Sequence, residues 1–136
     1  AVLCTGAYNY SMASNYNNPK LLYNIGLFYY DGKYFKKDIN KAIDYFTRSS
    51  KLNYSGAQFF LGSLYLIGKS VKQDIVTGIF WIRKASNNNI YQADFVLGYL
   101  YHEGKYVEKN IKKSIQLYKK ASSFNYQYAK NNLGII

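Results

Sequence analysis

Ala57–Ala85 reads AQFFLGSLYLIGKSVKQDIVTGIFWIRKA, and displaced by 36 residues in either direction it meets a copy of itself. Gly62 falls on Gly26 and Gly98, and one step further on Gly134. Gly68 falls on Gly32 and Gly104, Val71 on Phe35 and Val107, and Asp74 on Asp38 and Asn110. Ala85 falls on Ser49 and Ala121. A fixed period of about 20–50 residues belongs to chains that stack one supersecondary unit on the next, since no single unit encloses a core.

Working outward, the repeat divides the chain into three full units, 19–54, 55–90 and 91–126, within one domain of 136 residues. Residues 1–18 align with the second half of a unit: Leu3 meets Ile39, Gly6 meets Ala42 and Ala13 meets Ser49. They are expected to be the trailing helix of a truncated repeat. Residues 127–136 start a fourth unit and end on Leu133, Gly134, Ile135 and Ile136. An apolar end without a polar cap leads to the expectation that the array continues in a longer protein.

Each full unit is expected to be two antiparallel helices. Ala57, Phe60, Leu61, Leu64 and Tyr65 recur at i, i+3, i+4, i+7 and i+8, one face of an α-helix, and Ala93, Val96, Leu97, Leu100 and Tyr101 repeat the pattern. Gly32, Gly68 and Gly104 are placed to end these first helices in the left-handed conformation. Asp38, Asp74 and Asn110 then cap the second helices, whose buried face is Ile39, Ala42, Ile43, Phe46 and Ser50 in the first unit. Asn53, Asn89 and Asn125 close the units at a turn, and Pro19 suits the first position of a helix.

Gly26, Gly62, Gly98 and Gly134 share one phase inside the first helices, where each costs about 1 kcal/mol relative to Ala. Close helix approach is the compensating benefit expected of them. Tyr29, Tyr65 and Tyr101, with Tyr45, Trp81 and Leu117, supply the bulky partners.

The motif A-x3-LG-x2-Y-x2-G-x2-V-x2-D-x6-(W/Y)-x3-A is carried by Ala57, Leu61, Gly62, Tyr65, Gly68, Val71, Asp74, Trp81 and Ala85. It resembles the Sel-1-like repeat, a relative of the tetratricopeptide repeat. The third unit keeps the motif with Leu117 in place of the aromatic residue; the first departs at Leu21, Ile25, Phe35 and Ser49. The resemblance implies an all-α, right-handed α-α superhelix (solenoid) of stacked antiparallel helix pairs. It also implies a non-enzymatic scaffold or adaptor that binds other proteins on its curved surface, one setting being an adaptor of the ER-associated degradation ubiquitin ligase. A secreted bacterial branch of the family carries a disulfide in each repeat, and the single Cys4 places this chain outside that branch.

Catalysis needs convergent polar groups, and the sequence offers few. His102 is the one histidine, so metal clusters and Ser-His-Asp or Cys-His arrangements lack parts. The glycines are dispersed rather than clustered in a phosphate loop. No cofactor and no metal are expected, and no enzyme. The apolar runs are too short to span a membrane. One cysteine suits a reducing compartment such as the cytoplasm, with the ER lumen as the alternative.

The first helices carry a second stripe outside the core positions: Tyr23, Leu27 and Tyr30; Phe59, Ser63 and Leu66; Phe95, Tyr99 and His102. In the family the first helices line the concave side, so Tyr23, Leu27, Tyr30, Phe59, Leu66, Phe95, Tyr99 and His102 are the candidate partner-binding residues. Aromatic and aliphatic side chains are the usual anchors of protein interfaces. The competing reading is that some, Phe59 and Phe95 above all, pack on a neighbouring repeat. The net charge of +11, from 18 Lys and Arg against 7 Asp and Glu, leaves anionic lipid or an acidic protein as alternative partners. Nucleic acid is the weaker alternative, because lysine on helix exteriors is expected by default.

Overall fold

The computed structural model describes residues 17–123 and 127–135. The truncated unit expected over 1–18 lies outside them except for its last two residues, as does Asn125. Among the described residues seven helices follow in order: α1 Pro19–Asp31, α2 Ile39–Lys51, α3 Ser55–Ile67, α4 Ile75–Asn87, α5 Tyr91–Glu103, α6 Ile111–Ser122 and α7 Gln127–Ile135. There is no strand among the described residues.

Capping chemistry sets the period. Pro19 opens α1 behind Asn18, whose Oδ1 accepts the Leu21 N–H at 3.1 Å. Asp38, Asp74 and Asn110 open α2, α4 and α6 by accepting the N–H three residues on, at 3.0, 3.0 and 2.9 Å. Each occupies one of the backbone donors a helix start leaves over. The first helices stop at Gly32, Gly68 and Gly104, with φ of 70°, 68° and 68°. The second helices give way to Asn53 and Asn89 at φ 65° and 63°, and Asn17 holds the same position at φ 51°. After glycine, asparagine is the residue that best tolerates this left-handed geometry.

The core sits at the junctions between units. Ala42 and Phe46 of the first unit meet Leu61, Leu64 and Trp81 of the second. Ile82 and Ala85 meet Ala93 and Leu97 of the third, and Tyr118 and Ala121 meet Ala129 of the fourth. No unit closes a core alone, so stacking is what removes apolar surface from water.

Helices within a hairpin touch at their small residues. A Cβ built on Gly62 would lie 2.9 Å from the Gly78 carbonyl oxygen and 2.9 Å from Ile82 Cγ1. On Gly98 it would lie 2.8 Å from the Tyr118 ring, and on Gly26 2.6 Å from Phe46. Gly134 departs from the expectation for its phase: nothing lies within 4 Å of its Cβ position. Among the described residues, no second helix lies against that side of α7.

Candidate functional site

Two surfaces carry chemistry, one along the first helices and one along the second. On the first helices the register places Tyr23 above Phe59 and Phe95, Leu27 above Ser63 and Tyr99, and Tyr30 above Leu66 and His102. Tyr23 packs against Phe46, Tyr54 and Phe60 at centroid distances of 5.7, 5.4 and 6.1 Å. Its burial first, then the charges of Tyr54 and Asp31, push its phenol above the ordinary tyrosine value. Tyr30 meets Phe60 edge-on at 5.4 Å, and its hydroxyl shares a 3.1 Å hydrogen bond with Ser70 of the next unit. Tyr23 and Tyr30 thus share Phe46 and Phe60 as neighbours.

Leu27 borders the first core cluster, Phe59 and Leu66 the second, and Phe95 the third. Phe95 and His102 share the Tyr118 ring, at 5.7 and 6.4 Å. The His102 Nδ1 lies 3.8 Å from the Glu103 carboxylate. Tyr99 is the exposed member, at 43%. The other seven are partly buried, each showing an edge to solvent.

On the second helices the recurring cations lie against local partners. Lys41 and Lys113 place their Nζ atoms 5.3 and 5.0 Å above Tyr29 and Tyr101, one repeat position occupied the same way in two units. Arg48 lies 4.0 Å from Asp44, and Lys84 sits 5.6 Å above Phe80. The units differ around these rings. Tyr29 is stacked between Phe35, at 4.6 Å and 22°, and Tyr45, at 5.7 Å and 11°. Around Tyr101 the corresponding residues are Val107 and Leu117, which leave its surroundings open.

The Tyr101 hydroxyl accepts from Arg83 Nη2 at 3.3 Å and Lys113 Nζ at 3.5 Å. Burial pushes this phenol up, but the hydrogen bonds and charges of Arg83 and Lys113 outweigh it, and the net direction is down. Arg83 is common to three adjoining clefts, of about 540, 550 and 330 Å³. The first is lined by Ile75, Val76, Ile79, Phe80 and Tyr106.

A third feature escaped the sequence reading. Asp94 is fully buried between the second and third units, accepting a hydrogen bond from the Ser86 hydroxyl and lying 3.3 Å from Lys120 Nζ. Lys120 also donates to the Ser86 carbonyl at 2.7 Å. At the preceding junction the same position is the neutral Gln58, which donates to the Ser50 carbonyl and to Asn53 and accepts from Asn88. The signal was there: an acid standing in the column of a glutamine, four residues before a core Gly98.

No group of three or more His, Cys, Asp or Glu side chains comes together among the described residues. No described helix is long and apolar enough to cross a membrane.

No curated protein matches the chain significantly. Solved structures do. A Sel1 repeat protein from Oxalobacter formigenes is 29% identical with a TM-score of 0.83, over 88% of this chain and 49% of its own. A protective antigen present in uropathogenic Escherichia coli strains, displaying an SLR fold, is 27% identical with a TM-score of 0.87, over 93% of this chain and 27% of its own. Helicobacter pylori cysteine rich protein B is 25% identical with a TM-score of 0.70, over 98% of this chain and 94% of its own. This chain therefore spans about half of the first of these relatives and about a quarter of the second. The Sel1 repeat model matches residues 19–54, 55–90 and 92–123, one match for each helical hairpin, and the chain belongs to the Sel1 repeat family.

Proposed function

We propose that this chain is a non-enzymatic scaffold that holds a peptide or helix of a partner protein on the stripe formed by its first helices. Scaffolding of protein interactions is the common role of the fold. The observation that carries the finer reading is the stripe itself. Leu27, Tyr30, Leu66, Tyr99 and His102 recur at fixed register on the first helices of three successive units, and each keeps part of its apolar surface in contact with solvent. Half-exposed aromatic edges over a rigid support suit a binding surface, because little side-chain freedom is lost when a partner covers them. The resemblance offers one concrete setting, an adaptor segment of a ubiquitin ligase, which would use the same face.

The test is a peptide selected on the wild-type protein from a randomised display library, then titrated against Tyr99→Ala and His102→Ala. Tyr99 is exposed and the His102 side chain is 25% exposed, so both variants should keep the fold. Affinity is expected to fall by about tenfold for each, the range of a typical interface anchor. Peptides that bind both variants as tightly as the wild type would remove the first-helix stripe as the binding face. Tyr23→Ala and Tyr30→Ala are poorer probes, since both rings also support Phe46 and Phe60.

A further inference from the structure

We propose a second binding surface, on the second-helix side between α4 and α6, that takes an acidic peptide segment bearing an apolar side chain. Three features converge there. The first is an exposed apolar pair: Val76 is 81% and Phe80 50% exposed, one turn apart on α4. Their counterparts are Asn40 and Asp44 in the first unit and Lys112 and Gln116 in the third, all exposed. Other units place polar groups at these solvent-facing positions, so core packing does not account for Val76 and Phe80.

The second is the cationic cradle. Arg83, one turn beyond Phe80, stands where the first unit has Thr47, a residue that bonds back to its own helix, and the third has Lys119. With Lys113 it converges on the Tyr101 hydroxyl, and neither cation is ion-paired among the described residues. A phenol is a weak acceptor for two cations, and a carboxylate brought to the same place would be a stronger one. The third is Tyr106, at φ 64°, a left-handed conformation that its counterparts Tyr34 and Ser70 do not adopt. Its ring lines the apolar cleft beside Val76 and Phe80 and the cationic cleft beside Arg83. Sparsely populated backbone states of this kind concentrate at binding sites.

Charge decides the occupant. The two larger clefts present Arg83, Lys84, Lys109 and Lys113 against one carboxylate, Glu108. A second copy of a chain carrying +11 is repelled from such a surface. Residues 1–16 and 124–126 contain no Asp or Glu and supply no complement. A partner segment that alternates carboxylates with Leu or Phe satisfies both halves, with its apolar side chain against Val76, Phe80 and Tyr106 and its carboxylate at Arg83 and Lys113.

The probe is a fluorescein-labelled peptide alternating Glu with Leu and Phe, followed by anisotropy at low and physiological salt. Controls replace every Glu by Gln, or every Leu and Phe by Ala, and add oligoglutamate and single-stranded DNA. The variants are Phe80→Gln and Arg83→Thr, which borrow the residues of neighbouring units, with Lys113→Thr as a second cationic probe. The mixed peptide is expected to bind the wild type about tenfold tighter than either substituted peptide. Phe80→Gln should reduce its affinity to that of the Ala peptide, and Arg83→Thr or Lys113→Thr to that of the Gln peptide. Tyr99→Ala should change nothing, which separates this surface from the first-helix stripe. The proposal is overturned if Phe80→Gln and the cationic variants bind like wild type. It is equally overturned if oligoglutamate or DNA binds as tightly as the mixed peptide, for the surface would then be a diffuse basic one.

Discussion

Gly62→Ala tests the contact on which the hairpins depend. Alanine is the better helix former by about 1 kcal/mol, so propensity alone predicts a gain in stability. The crossing of α3 and α4 predicts a loss. The added Cβ would stand 2.9 Å from the Gly78 carbonyl oxygen, 2.9 Å from Ile82 Cγ1 and 3.0 Å from Ile82 Cδ1, where ordinary contact begins at 3.4 Å. One obstacle is backbone and the other a fully buried side chain, so the helices must part by about half an ångström. Overpacking of this kind costs about 1–3 kcal/mol, and with nothing flexible to yield the upper end applies. The net expectation is destabilisation by about 2 kcal/mol, read as a lower urea midpoint by circular dichroism with an unchanged slope. Gly134→Ala is the control. Its Cβ meets nothing within 4 Å, so it should leave stability unchanged or raise it by up to about 1 kcal/mol. A Gly62→Ala protein that unfolds at the same or higher urea concentration would refute the close-crossing argument.

Three further outcomes follow from the polar and strained positions. The Asp74 carboxylate is held below its ordinary pKa by the Thr77 hydroxyl, at 2.6 Å, and then by the Thr77 N–H, at 3.0 Å. A depressed folded-state pKa contributes stability that is present above the unfolded value and lost as pH falls through the folded one. Asp74→Asn, which keeps the backbone cap as Asn110 does but gives up the charge, should therefore lower the melting temperature modestly at neutral pH and flatten the acid limb of its profile, converging on wild type at low pH. At the Asp94–Lys120 pair the two partners should differ. Lys120→Met strands a fully buried carboxylate whose Oδ2 already lacks a hydrogen-bond partner and should cost about 3 kcal/mol in urea unfolding. Asp94→Asn leaves a Lys120 side chain that is 38% exposed, able to reach water, and should cost less. Tyr106→Gly removes the left-handed penalty of about 1–2 kcal/mol; its thermal midpoint should rise while the affinity for the mixed acidic peptide falls.

Most of the architecture was legible because the repeat fixes backbone punctuation. Gly32, Gly68 and Gly104, the caps Asp38, Asp74 and Asn110, and the Asn53 and Asn89 turns all lie where period and local chemistry placed them. Side-chain environment was less legible, because it depends on the neighbouring unit rather than on the column. Asp94 stands in the column of Gln58, and the stacking of the third unit on the second buries it. Within the stripe, Phe59 and Phe95 follow the competing reading drawn from the sequence and pack against core clusters, while Tyr99 stays open. The Val76–Phe80 pair was readable in principle. It emerges when the exposed columns are compared between units, whereas the buried columns are the ones that reveal the fold.

Among the described residues, the closest backbone approaches run between helices consecutive in the chain and no unit reaches past its neighbour, which gives the molecule the behaviour of a zipper. Nearest-neighbour coupling lets an end unit fray while the middle hairpin stays closed. Amide exchange should accordingly be fastest toward the terminal hairpins and slowest in α3 and α4. The furrow on α4 then lies on the part of the spring that opens last.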